Sequence, residues 1–513
     1  MWRVKSLDAV LATADKKSLH RSLGPFQLTL LGIGGIIGTG IFVLTAEAAQ
    51  KAGPGMMLSF VLAGAVSAVA ALCYAELSSM VPVSGSAYTY TYAVLGELMA
   101  WLVGWALILE YAVAASAVSV GWSGYIVGLL AHLPHPIIVP PELAAGPYAG
   151  GVVNVLAVVV ALGVTGLLVI GTRESATVNA CLVAVKLVAL GAFIWLALPV
   201  INSANFHPFA PFGTAGVISA AASIFFAYVG FDAVSTAAEE TKNPQRNLPI
   251  GLIGSLAICT VIYLLVAAGA IGSYGAQPVY GPAGEALAPG SSALQAQCAS
   301  LAGQPLVCSR EALAHVLRSI NHPLVGNLLG LAAGIALPTV VLMMIYGQTR
   351  IFFVMSRDGL LPQALSRVHP KFRTPHVVSW ITGLLVAFAA AFLPVGQLAD
   401  ISNSGTLFAF AAVSLAVMVL RRTQPDRPRP FRAPLVYLIG TLAVLGCGLL
   451  FAYLPWQAKL LFPIWSAIGL IFYFAYGYRH SHVGKERFAV GERNGPVDRF
   501  ECRTPGAQAK GGE

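Results

Sequence analysis

The chain has 513 residues, of which 57% are hydrophobic and only 10% charged. A soluble domain carries roughly 25% charged residues, so this composition excludes a soluble enzyme, a nucleic-acid-binding protein and a disordered regulator. It leaves an integral membrane protein of many spans, and the net charge of +9 then matters through the loops that hold it.

Apolar runs long enough to cross roughly 30 Å of hydrocarbon predict twelve helices. They cover residues 28–49, 55–80, 93–130, 151–170, 176–200, 214–238, 249–272, 323–347, 376–393, 403–420, 434–454 and 459–478. Alternating strands of about ten residues are absent, which argues against a β-barrel. A cytoplasmic segment over 1–27 precedes the membrane domain of 28–480, and the polar, glycine-rich 481–513 is expected to be a disordered cytoplasmic tail. No signal peptide is expected, because the first apolar run carries no cleavage site. An even number of spans puts both ends on one side. With the N-terminus inside, the inner segments hold 25 of the 30 Lys and Arg, the outer segments hold four, and Lys186 lies within a helix. That asymmetry predicts N-in and C-in. The one long external connection is 273–322, where SREALAHVLRSI (309–320) has the apolar spacing of a short surface helix. Cys298 and Cys308 share this loop. They can pair as a disulfide if it faces an oxidising compartment, or remain two thiols.

Helix 1 contains GIGGIIGTGIF (32–42), with five Gly in nine residues. Each Gly costs a helix roughly 0.5–1 kcal/mol relative to Ala. Close packing against a neighbour is one reading; a helix interrupted at membrane depth is the other. Helix 6 repeats the pattern in Ala227-Tyr228-Val229-Gly230, followed by Asp232. Helices 1 and 6 open two five-helix halves, and paired interrupted helices at matching positions point to a transporter site. Freed N–H groups at a half-helix start suit a carboxylate and freed carbonyls suit an ammonium. Together they suit a free α-amino acid.

GGIIGTGIF in helix 1, FFAYVGFD and EETKNPQRNLP around the end of helix 6, and YGQTRIFFVMSRDGLLP (346–362) after helix 8 carry a family resemblance. The chain resembles the amino acid–polyamine–organocation superfamily, in particular bacterial members of its cationic amino acid transporter branch, over roughly residues 20 to 480. The resemblance implies an all-α fold of twelve transmembrane helices, a five-plus-five inverted repeat of the leucine-transporter kind with two extra C-terminal helices. It implies that the amides of Thr39 and Gly40 bind the substrate carboxylate. The carbonyls of Ile36, Phe226, Ala227 and Val229 would bind the amine. Phe226 matches an aromatic lid position and Asp232 an acidic gating position.

Ionisable groups inside a membrane are functional candidates by default. Lys186 in helix 5 matches the position where proton-coupled members of the family carry a Lys in place of sodium. It is read as the coupling group, against a structural Lys paired to a carboxylate or snorkelling to the interface. Glu110 in helix 3 either holds the unwound part of helix 1 or faces the substrate side chain. Glu239 and Glu240 are placed to form a cytoplasmic gate with Arg residues. Trp101, Trp456 and Tyr478 read as interface anchors. Leu337 and Pro338 in helix 8 are apolar where cationic carriers of the family are more polar, which tilts the expectation towards small neutral or broad substrates.

The expected function is proton-coupled symport of free amino acids by alternating access across the cytoplasmic membrane. The partners are the amino acid, protons and membrane lipid, with no nucleic acid; a small membrane-protein partner is left open. No cofactor, metal site or catalytic residue is expected. The alternatives are a proton-independent amino acid exchanger and a transporter-like sensor.

Overall fold

A computed structural model describes residues 23–83, 86–171, 176–301, 304–372 and 374–484. The expected N-terminal segment up to residue 22 and the tail beyond 484 lie outside the described residues, as do Arg173 and Arg373. The named elements are helices, and among the described residues extended pairing is limited to isolated bridges such as Leu23 with Thr241.

The first predicted helix is three pieces: α1 (Pro25–Ile36), α2 (Thr39–Phe42) and α3 (Leu44–Ala52). Next come α4 (Met56–Met80), α5 (Ser86–Val94), α6 (Glu97–Ala131), α7 (Val155–Ile170) and α8 (Ala176–Ala197). The second interrupted helix begins as α9 (Gly213–Ile224) and runs through a tight turn at Phe225–Tyr228. After it come α10 (Pro244–Tyr274), the short α11 (Ser292–Ser300) and α12 (Ala312–Ser319), then α13 (Pro323–Arg357), α14 (His376–Phe392), α15 (Val395–Thr423), α16 (Val436–Tyr453) and α17 (Trp456–Phe472). Eight helices among the described residues, with α3 and α4 counted as one, are long and apolar enough to cross a membrane. The four shorter apolar helices include α1 and α9, each cut short by a break.

Burial sorts the bundle. Within its most apolar stretch α6 is 72% buried, whereas the segment Trp456–His480 is 17% buried. The exposed side chains of the outer helices are large and apolar, as lipid contact requires: Val188, Trp195, Leu438 and Ile471. On α8 the buried positions Val183, Lys186, Leu190, Phe193 and Ala197 recur at helical spacing while Val188 and Trp195 face outward. Lys186 therefore lies on the inward stripe.

Three helices run longer than their apolar stretches predicted. Helix α13 continues past 347 to Arg357, α10 starts at Pro244, and α15 starts at Val395 instead of 403. In α15 the polar residues that end the apolar run are paired with other helices, so the helix continues through them. Trp101 is a correction. It is fully buried, donates through Nε1 to Gly469 O at 2.8 Å, and stacks on Trp105, which stacks in turn on Trp465. It joins α6 to α17 and does not anchor an interface; Trp456 is 69% exposed, as an anchor would be.

Candidate functional site

Glycine makes the two breaks possible and makes them touch. Helix α1 ends in extended backbone at Ile37 and Gly38, and α2 restarts at Thr39. Gly230 has φ +118°, a conformation that side chains disfavour, and a Cβ there would lie 2.7 Å from the Gly35 carbonyl carbon and oxygen. A Cβ on Gly40 would lie 2.3 Å from Ala227 Cα. The interruptions are thus stacked backbone on backbone, with Ile36, Gly40, Phe226, Ala227 and Val229 all buried at the contact.

A helix break frees carbonyls that must find donors away from water. Side chains from other helices supply them. Tyr263 on α10 places its hydroxyl 2.8 Å from Ile36 O and 2.9 Å from Ala227 O. Lys186 Nζ donates to Gly34 O at 2.8 Å. Asn403 Nδ2 donates to Ala222 O and Ser223 O, at the C-terminal end of α9. Tyr125 donates to Phe42 O at 2.8 Å. Two of the carbonyls assigned to the substrate amine, Ile36 and Ala227, therefore share the single hydroxyl proton of Tyr263, so at any moment one of them keeps full capacity to accept.

The remaining candidates surround this contact. Thr39 is buried, its methyl is close to Gly121 of α6, and its hydroxyl has no hydrogen-bond partner among the described residues. Asp232, fully buried, accepts from Tyr111 Oη at 3.0 Å. Glu110 does not hold the backbone of α1. Its carboxylate accepts no hydrogen bond among the described residues and lies beside Thr406 of α15. Leu337 is fully buried on α13. One residue on, Pro338 has no N–H to give Gly334 O, and Trp122 Nε1 occupies that carbonyl at 2.7 Å. A Cβ on Gly38 would touch Val340 at 3.4 Å, which places α13 against the first break.

Ion pairs flank the breaks at both ends. At one end Lys51 of α3 pairs with Asp400 of α15 at 3.3 Å and also bonds Ser223, whose hydroxyl donates to Asp400 at 2.5 Å. At the other, Arg350 pairs with Glu240 at 3.3 Å, while Leu23 and the segment after the second break exchange backbone bonds, Leu23 N–H to Glu240 O at 3.0 Å and Lys242 N–H to Leu23 O at 2.8 Å. Cys298 and Cys308 are disulfide-bonded, with 5.7 Å between their Cα atoms, in the connection between α10 and α13. Tyr263, Asn403, Tyr125 and Trp122 were not singled out from sequence. Asn403 lies among Asp400, Ser402, Ser404 and Thr406, so in the sequence it reads as part of a polar break in an apolar run.

Two broken helices back to back inside a bundle of membrane-crossing helices define a multi-pass membrane transporter. The amino acid permease family model matches residues 23–475, and the chain belongs to that family, a branch of the amino acid–polyamine–organocation superfamily. It is a transporter, not an enzyme. The chain is 46% identical to the branched-chain amino acid permease BcaP of Bacillus subtilis, over 94% of this chain and 99% of that protein. It is 42% identical to the methylthioribose transporter of the same organism, with the same coverage. It is 35% identical to human cationic amino acid transporter 4, over 80% of this chain and 62% of that one.

Proposed function

We propose that this permease carries neutral, branched-chain amino acids across the cytoplasmic membrane by proton-coupled symport. The observation that carries the reading is the stacked pair of breaks, with Lys186 buried against the carbonyl of Gly34. The substrate carboxylate would meet the first amides of α2, at Thr39 and Gly40, where a helix start leaves N–H groups unused. The ammonium would meet carbonyls at Ile36, Phe226, Ala227 and Val229. Phe226 would close over the substrate, and Asp232 would act in gating.

In the coupling step, a proton on Lys186 holds α8 to the end of α1. Its loss turns a charge-assisted donor into a neutral amine, which weakens the bond to Gly34 O between α8 and α1 and favours the opposite facing. Substrate and proton thus act on the same break. The twelve-span, five-plus-five arrangement with both ends inside agrees with the distribution of positive charge. Glu110 makes no bond to the backbone of α1, which leaves it the other role, facing the substrate side chain from beside α15. The apolar Leu337 and Val340 beside the first break favour an aliphatic side chain, and so does the similarity to a branched-chain permease.

The test is uptake of labelled amino acids, with methylthioribose as a further solute, into proteoliposomes with and without an inward proton gradient. Leucine, isoleucine and valine uptake that requires the gradient is the expected result. Lys186→Ala should abolish the response to the gradient; retained proton-driven uptake would sink the coupling role. Uptake only against preloaded amino acid, indifferent to pH, would mean an exchanger. Leu337→Asp should move preference towards arginine and lysine.

A further inference from the structure

On the external side of the first break lies a cavity of about 310 Å³, near the small end of the roughly 300–1,000 Å³ usual for ligand pockets. Its walls come from α3, α6, the loop between α6 and α7, the start of α15 and the disulfide-bearing loop; both Cys298 and Cys308 line it. Gly121 is part of its lining and is also the residue on which Thr39 packs. The chamber and the first break therefore share one wall of α6.

Two opposite charges line the chamber from different elements. Arg310, in the loop, has accessible surface and spreads its guanidinium over Ala144 O at 3.2 Å, Ala149 O at 3.5 Å and Gln295 Oε1 at 3.3 Å. These are long bonds, and a guanidinium has five N–H donors, so donors remain for an incoming anion. Glu47, on α3, rests its carboxylate against Gly396 in the first turn of α15, where a Cβ would lie 1.9 Å from it. Apolar lining comes from Val120, Leu294, Val307 and Leu393. A mostly apolar chamber with one cation and one anion is complementary to a zwitterion with an aliphatic side chain.

We propose that this chamber is a second binding site, which holds a zwitterionic amino acid before it reaches the breaks. Arg310 pairs with its carboxylate and Glu47 with its ammonium. The proposal rests on the reading of the chain as an amino acid transporter. The disulfide fixes the wall formed by α11, so that the site exists before the substrate arrives.

The experiment is equilibrium binding of labelled leucine to the purified full-length protein, together with uptake kinetics in proteoliposomes. Wild type should bind two leucines per chain. Arg310→Gln should bind one, and its uptake KM should rise about tenfold with kcat little changed, as loss of one charge-assisted contact implies. Ala299→Trp, which fills the chamber from α11 without touching either charge, should also bind one; this separates an occupied site from a loosened loop. A wild type that transports leucine yet binds one molecule per chain, with KM unmoved by Arg310→Gln, would overturn the second site alone. A wild type that neither binds nor transports any amino acid would overturn the transport reading beneath it.

Discussion

At Tyr263 one hydroxyl proton serves two carbonyls from two different broken helices. Removing it leaves both buried acceptors without that donor, at a cost of about 1–3 kcal/mol for each group left unsatisfied. Tyr263→Phe should therefore lower the thermal midpoint of the purified protein and reduce uptake, with the ring packing on Phe60 and Tyr228 retained. A normal midpoint would mean the carbonyls are satisfied elsewhere. Asn403→Leu makes a parallel prediction at the end of α9, where two carbonyls lose one carboxamide, and its measurement is the same midpoint. The glycines of both breaks were legible in the sequence because so many of them in a helix have few explanations. Tyr263 was not, since a tyrosine in an apolar helix reads as packing, and its meaning comes from a hydroxyl reaching across to residues 227 and 36 positions away in sequence.

Helices were legible where their apolar run and their physical length coincide, as in α4 and α16. They were misjudged where polar residues are paired internally: Asp400 and Asn403 in α15 look like a loop until Ser223, Lys51 and the end of α9 are placed beside them. The external loop shows a different element-scale effect. His315 on α12 places Nε2 2.7 Å from Gln304 O and 3.2 Å from Tyr274 Oη, and burial lowers its pKa from the usual 6.5. A base whose folded pKa is lowered favours the neutral folded form, so stability is full above the unfolded pKa and falls as pH drops through about 6.5. Amide exchange over 312–319 should accelerate on going from pH 7.5 to pH 5.5, corrected for intrinsic exchange. In His315→Gln, which keeps a donor but cannot titrate, the acceleration should disappear; an equal acceleration in both proteins would assign it to another group.

For the whole molecule, the prediction concerns sidedness. The proposed orientation puts the Arg-rich turn after α13 inside and the disulfide loop outside. A cysteine introduced at Val368, which is exposed, should react with an impermeant maleimide only after the membrane is opened. A cysteine at Ala283, in the external connection, should react on intact cells. The reverse pattern would invert the topology. Charge bias was readable from the sequence because lipid orders it loop by loop, whereas the chamber was not, since its walls come from five parts of the chain brought together by folding.

The contact between the breaks limits how this permease can change its diet. At Gly40 and Gly230 an added methyl meets backbone, at 2.3 Å and 2.7 Å, and backbone cannot rotate aside as a side chain can. Those positions are closed to substitution whatever the substrate. Under the proposed site, new selectivity, natural or engineered, would be written on the facing helices, at Val340 of α13 beside Gly38 and along α6 beside Thr39. One recognition frame for the amino and carboxyl groups can then serve relatives with different cargo, while a few side chains opposite it decide which cargo is accepted.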